Sequence, residues 1–434
     1  MADRVIFHVD ANSAFLSWSA AYRLLVLGER EDLRQIPAVV AGERFSRHGI
    51  VLAKSIPAKK YGIRTGEPLY QALEKCPTLR VVEPDFGLYT ACSRQMIALL
   101  REVAPAVEQF SIDEAWADMT GTERLYGPPI CAAEMLRERI FRELGFTVNI
   151  GVSSNKLLAK MAGDFEKPNR VHSLFPREIP EKLWPLPVEE LFLVGAATAG
   201  RLRRMGIGTI GALAGTPVEQ LRRALGKQGE LLWNFANGHD AEPVREVAPE
   251  NKGYGNSVTL ARNVTDTGTA HRVLLGLCET VGTRLRRDGK TAGCLAVTLR
   301  DGDFHTFSHR RQLPGTTDVT GELYGAACAA FDEAWDGKTP LRLLGVQASK
   351  LAGERYCQLD LFSREDPDRQ ERRARLDRTV DGLRCRFGEN SVRRARLVSG
   401  AGEQGGQSRA RKNGAAGGPA RTFYNLPYGH ISEI

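Results

Sequence analysis

Three carboxylates stand where short apolar runs end or turn. Asp10 closes the run VIFHVD, and Asp113 and Glu114 sit side by side in SIDEAWAD. Moving a phosphoryl group onto a hydroxyl leaves little covalent work for a protein. It needs two divalent cations, about 4 Å apart, that activate the attacking oxygen and neutralise the leaving pyrophosphate. Magnesium takes hard carboxylate oxygens and keeps water and substrate phosphate in its shell, so two or three acids must converge from different parts of a fold. Neighbours on a regular strand face opposite sides, so Asp113 and Glu114 share a site only at a corner or a bulge. On this reading Asp10 bridges both cations, Asp113 is the second ligand, Glu114 completes the site, and the carbonyl of Ala11 adds an oxygen. Acids at strand ends also serve as helix caps and turn formers, and at this point both readings stand.

The elements around the acids follow from periodicity. Val5 to Val9 read as a buried strand, residues 17–28 as a helix, and AVVAGE and GIVLAKS as two short strands. Residues 56–76 alternate helix and turn signals at Pro57, Gly62, Gly66 and Pro68. An amphipathic helix over 86–104 runs through Leu88, Cys92, Met96, Leu99 and Leu100. AVEQFSIDEAWADM reads as strand, tight corner and strand, 129–144 as a helix, and FTVNIGVSS as another buried strand. Ser154 is the expected N-cap of the helix that follows. Together these resemble a split β-α-β unit with an insertion after its first strand.

Residues 173–240 change to short helices with glycine turns. LVGAATAGRLRRMGIGTIGAL has the look of a helix–hairpin–helix that offers backbone N–H groups to a DNA phosphate, with Leu193 where such hairpins usually have their first glycine. Residues 253–351 repeat a β-α-β-β-α-β pattern, with strands NSVTL, CLAVTLR, DFHTFSHRRQL and LRLLGVQASKL and helices near 267–287 and 319–335. Arg300, His305, His309, Arg310 and Arg311 lie on or beside those strands, where they suit either a duplex backbone or an ordinary solvated face. The Arg-rich stretch after Phe362 has interleaved acids and reads as a solvated amphipathic helix. Beyond 399 a Gly/Ala/Gln-rich tail is expected to be disordered.

The 434 residues are too many for one core and imply three or more domains. A net charge of +8 and a pI near 9.1 point to a polyanionic partner. Eight scattered cysteines with no CxxC pair read as reduced core thiols, and this excludes a disulfide framework or zinc site. No apolar run reaches membrane-spanning length and the N-terminus lacks a signal-peptide layout, so a soluble cytoplasmic protein is expected.

FHVDANSAF, GIVLAKSIPAKKYGIRTGEPLYQA, SIDEAWAD, GVSSNKLLAKMAGDFEKPN and LRLLGVQASKL, in this order over roughly residues 4–362, resemble the motifs of the Y-family (translesion) DNA polymerases. The resemblance implies an α+β multidomain right hand. Its parts would be a ferredoxin-like palm over 1–13 and 85–174, fingers over 14–84, a helical thumb with helix–hairpin–helix over 175–241, and a DNA-binding little finger over 249–357. A clamp-binding motif would follow over 358–362, then a helical extension over 363–398 and the tail over 399–434.

The resemblance further implies a low-fidelity, template-directed polymerase without a proofreading exonuclease. It would use two Mg2+ ions, with Mn2+ able to substitute, and act as a monomer on primer–template DNA and deoxynucleoside triphosphates. Asp10, Asp113 and Glu114 match the metal-binding acids. Phe15 falls where an aromatic ring packs on the incoming sugar and excludes a 2′-hydroxyl. Lys167 and Lys59 match triphosphate ligands, with two departures: Ile56 replaces a tyrosine that binds the triphosphate, and Lys59 replaces an arginine fork, so either nucleotide binding is weaker, with a modestly raised Michaelis constant, or Ser55 and Lys54 compensate. Asn12 replaces a second acid not counted among the ligands. Gln358, Leu359, Leu361 and Phe362, in QLDLF, resemble the peptide that bacterial replication proteins insert into the sliding clamp. An alternative of another class is a polymerase-shaped scaffold without catalysis, and the presence of all three acids weighs against it.

Overall fold

The computed structural model describes residues 4–42, 49–247, 249–354 and 367–398. They fall into two compact units that divide near residue 248. The first contains β1 (Ile6–Ala11), α1 (Ala14–Leu25), β2 (Ala38–Ala41), β3 (Val51–Lys54), α2 (Ile56–Lys60), α3 (Leu69–Lys75), β4 (Arg80–Val82), α4 (Phe86–Val103), β5 (Ala106–Gln109) and β6 (Glu114–Asp118). It continues through α5 (Glu123–Tyr126), α6 (Pro129–Leu144), β7 (Val148–Ser153), α7 (Lys156–Gly163) and β8 (Val171–Ser173) to the helices α8 (Ala196–Arg204), α9 (Ile210–Ala214), α10 (Val218–Leu225) and α11 (Lys227–Ala236).

Its main sheet has the order β5-β6-β1-β7-β8. Every residue of the central strand β1 is buried. On one face Phe7, Val9 and Ala11 join the large core formed with α1, α4 and α6. On the other face α7 lies directly on β7, so close that a Cβ on Gly151 would fall 1.8 Å from the carbonyl oxygen of Ala159. A smaller sheet, β3-β2-β4, carries α2 and α3 over its own core. The helices α8–α11 share a third core with Leu157, Leu158 and Met161 of α7.

The second unit consists of β9 (Gly253–Val264), α12 (Thr267–Arg287), β10 (Thr291–Asp301), β11 (Thr306–Thr317), α13 (Thr320–Ala334), β12 (Leu341–Ala352), α14 (Pro367–Phe387) and α15 (Ala395–Val398). Its sheet has the order β11-β10-β12-β9. The helices α12 and α13 bury one face of it. The other face is small and polar. Cross-strand rows such as Gly255–Gln347–Ala296–Arg310 run over it, and Thr306 to Gln312 are all exposed.

Several expectations need correction. The first helix begins at Ala14, three residues early, because Ser13 turns the chain with a left-handed φ of 48° and uses no side-chain cap. The N-cap of α7 is Asn155, whose side chain accepts from the Leu158 N–H, and not Ser154. The Arg-rich helix α14 is not simply solvated. Arg286 of α12 reaches Asp381 at 2.5 Å and Asp377 at 3.5 Å, while Arg394 bonds Asp377 and Glu279, each at 2.7 Å. Asp377 is only 4 % exposed. Of the described thiols, Cys131 and Cys385 are exposed, so the reading of core cysteines fails at those positions.

Candidate active site

The pairing of β1 with β6 sets Asp10 directly opposite Glu114, on the sheet face that α7 covers. Asp113 lies one residue before β6, at the corner the chain makes after β5. Its carbonyl accepts from the Ala11 N–H at 3.0 Å, which ties the corner to β1. The Ser111 hydroxyl donates to Asp113 Oδ1 at 2.6 Å and accepts from the Glu114 N–H at 3.1 Å. Ser111 thus shapes the turn that releases Asp113 from strand alternation.

Basic side chains surround the acids. Lys160 donates to Glu114 Oε2 at 2.8 Å, and His8 Nε2 lies 3.3 Å from the same oxygen, near but poorly aligned. Lys167 pairs with Asp10 Oδ2 and with Asp164 Oδ1, the latter at 2.8 Å. One turn before Lys160, Lys156 holds Glu108 at 2.8 Å and sits 4.6 Å above the Trp116 ring. Burial works against the charge of Glu114, but its contacts with His8 and Lys160 outweigh that and bring the carboxyl to about 2. At Asp10 the balance is reversed: burial raises the pKa above the ordinary value despite Lys167.

Each acid keeps one oxygen clear. Asp10 Oδ1, Asp113 Oδ2 and Glu114 Oε1 enter no hydrogen bond or ion pair among the described residues. The free oxygens are hard donors, although among the described residues only Asp301, Asp303 and His305 bring three ligand atoms within 4.8 Å of one another. Carboxylate oxygens are the donors that magnesium or manganese takes and a thiolate-seeking metal does not.

The other expected residues are distributed differently. Phe15, on α1, stacks on Tyr89 with ring centroids 4.5 Å apart and planes 7° from parallel, and Phe86 meets it edge-on. Lys59 is exposed on α2, and its side chain makes no hydrogen bond or ion pair among the described residues. Lys54 contacts Thr65 at 3.2 Å, and burial, followed by the charge of Lys59, lowers its pKa. Ser55 is not available to a nucleotide. Its buried hydroxyl accepts from the Ala38 and Ala58 N–H groups and donates to the Ile36 carbonyl, which uses its full capacity. Gln358, Leu359, Leu361 and Phe362 lie outside the described residues. Leu193 does take the glycine-like conformation, with φ of 68°, and is exposed.

His309 and Arg311 turn to the helix side of β11, where both bond Glu333 of α13. Arg310 faces the open side. Asp301, Asp303 and His305 form a separate exposed cluster of possible metal ligands at the β10–β11 turn, and Asp301 is already bonded there to His305.

Sequence reasoning missed the residues that hold this arrangement together. Asn12 donates to Asn149 Oδ1 at 3.0 Å and accepts from the Asn169 N–H at 2.9 Å. Asn149 in turn donates to the carbonyls of Gly163 and Glu166. The two amides join β1, β7 and the segment that carries Lys167. Polar residues inside apolar runs were the only available signal.

The impB/mucB/samB family matches residues 9–164, and the C-terminal domain of that family matches residues 251–361. A DNA polymerase IV of Clostridium acetobutylicum is 42 % identical over 91 % of this chain and 98 % of its own length. One from Moorella thermoacetica is 40 % identical over 92 % and 98 %. Among solved structures, a Y-family DNA polymerase chimera, Dbh-Dpo4(243-245)-Dbh, superposes with a TM-score of 0.69 at 24 % identity, covering 81 % of this chain and all of that one.

Proposed function

This chain belongs to the impB/mucB/samB family and is a Y-family, DNA-directed DNA polymerase of the translesion class, and we propose that it extends primers with low fidelity on Asp10, Asp113 and Glu114. The observation that carries the site is the opposition of Asp10 and Glu114 across β1 and β6, with Asp113 at the adjoining corner and one oxygen of each acid free. On this reading β1 and residues 85–174 form the palm, 14–84 the fingers, 175–241 the thumb and 249–357 the little finger.

Asp10, Asp113 and Glu114, with the Ala11 carbonyl, would hold two Mg2+ ions, or Mn2+ in their place. When bound, the ions supply Lewis acidity at the primer hydroxyl and countercharge for the departing pyrophosphate. The chain's own groups do the rest. Lys160 and His8 hold Glu114 ionised and fixed in direction. Lys167, Lys59 and Lys54 offer positive charge to the triphosphate, and the Phe15 ring, backed by Tyr89, occupies the space of a ribose 2′-hydroxyl. Arg310, Gln347 and their neighbours on the open sheet face receive the duplex backbone.

The test is primer extension on an undamaged template with Mg2+ and all four deoxynucleotides. The Asp113→Ala/Glu114→Ala double variant should lose at least about a thousandfold in rate while retaining DNA binding. Extension by that variant would move the site elsewhere. QLDLF is proposed to bind the bacterial sliding clamp. Titration with purified clamp should show affinity lost in Leu361→Ala/Phe362→Ala, and equal binding by both proteins would remove the proposal.

A further inference from the structure

Three lysines on and just after α7 each pair with one acid of the main sheet: Lys156 with Glu108, Lys160 with Glu114 and Lys167 with Asp10. They differ in freedom. The side chains of Lys156 and Lys160 are 8 % and 10 % exposed and lie beside aromatic rings. That of Lys167 is 38 % exposed, and its second partner, Asp164, is 41 % exposed at the rim. The backbone around Lys167 is held on both sides, because Asn149 bonds the Glu166 carbonyl and Asn12 bonds the Asn169 N–H. Only the side chain is left to swing.

Asp10 is 7 % exposed and stands opposite Glu114, so its ionised form draws on a nearby cation, which an ammonium or a metal can supply. We infer that Lys167 is an exchangeable internal cation: it occupies Asp10 until a nucleotide triphosphate draws it away, and by leaving it opens the acidic site to divalent cations. The inference rests on the active-site reading above. An ammonium and a divalent cation compete for one carboxylate, so whatever removes the first strengthens the second, and by linkage the metal likewise favours the nucleotide. Lys167 would therefore suppress metal binding in the resting enzyme while promoting nucleotide binding, which are opposite effects of a single side chain.

The test is a Mn2+ titration of the full-length protein by electron paramagnetic resonance, without nucleotide or DNA. Lys167→Met and Lys167→Gln should each bind Mn2+ roughly three- to tenfold more tightly than wild type. In excess Mg2+ both should bind dATP about tenfold more weakly. Arg170→Gln removes the same charge three residues on, from a side chain that among the described residues pairs only with Glu166, and should leave Mn2+ affinity unchanged. Unchanged or weaker Mn2+ binding in both Lys167 variants would overturn the inference, as would equal tightening in Arg170→Gln or undiminished dATP binding. Asp10→Asn separates the two levels. Retained Mn2+ binding there would refute the site itself, whereas its loss without tightening in the Lys167 variants would refute only the exchange.

Discussion

The two large sheets have the same order of elements, β-α-β-β-α-β, and build opposite surfaces from it. In the first unit the first and third strands of the repeat, β1 and β6, are neighbours at the centre. In the second unit the centre belongs to the second and fourth strands, β10 and β12, while the first and third, β9 and β11, are sent to the two edges. Strand order therefore decides whether residues on the first and third strands can meet. Asp10 and Glu114 face each other because of it, and α7 then covers them, so their interactions operate away from bulk water. Among the described residues the second sheet brings no such pair together and carries no second helical layer. Its bare face presents small side chains, hydroxyls and arginine to a wide surface. A covered sheet can hold a charge constellation, and an open one can hold a polymer.

Closing or loosening the covered sheet should have the larger consequence. Gly151→Ala places a methyl group against the backbone of α7, so the helix must lift off β7 and carry Lys160 with it. A loss of about 3 kcal/mol or more is expected in the urea midpoint, along with most of the primer-extension activity. The matching change on the open sheet, Gly345→Ala, meets the Ser257 and Thr298 Cβ atoms at 3.1 and 3.4 Å and the Asn256 carbonyl oxygen at 3.6 Å, and should destabilise by about 1 kcal/mol or less. Similar losses at both positions would erase the contrast.

A smaller effect is expected within the second sheet. Arg310→Ala should weaken duplex binding several-fold and lower the slope of log affinity against log salt by about one. Arg311→Ala, whose guanidinium already faces Glu333, should change either quantity much less. Equal salt slopes for the two variants would reverse the assignment of faces. The smallest effect lies in the fingers: Ile56, 50 % exposed at the start of α2, should when changed to Tyr lower the nucleotide KM about two- to threefold at constant kcat. An unchanged KM would count against a triphosphate near that helix.

Much of this architecture was legible in the chain. The helix over 129–144 and the strand–corner–strand of 106–118 were visible from periodicity and from the polar interruption at Ser111 and Asp113. The repeat in residues 253–351 was visible too, but its strand order was not, because alternation along a strand says nothing about which strand lies beside it. The faces of β11 were hidden for a related reason. His309, Arg310 and Arg311 are all polar, and only the position of Glu333 on a helix some twenty residues on decides which of them turn inward. Ser55 was misjudged because its hydroxyl looks the same in sequence whether it caps a helix or binds a phosphate. At the acids, the types and order of residues were enough to identify candidates, while the lysines and asparagines that hold them depend on contacts across the fold.

The ionic seam between α12 and α14 has a practical consequence for anyone trimming this protein. Arg286 is almost enclosed, and its carboxylate partners, Asp377 and Asp381, come from beyond residue 362. Glu279 likewise draws both its partners, Arg384 and Arg394, from that side. Cutting the chain after its last sheet strand would remove every carboxylate that Arg286 pairs with and both arginines that Glu279 pairs with among the described residues. The natural place to shorten the protein lies past residue 398, even though everything needed to draw the sheet is complete by residue 352.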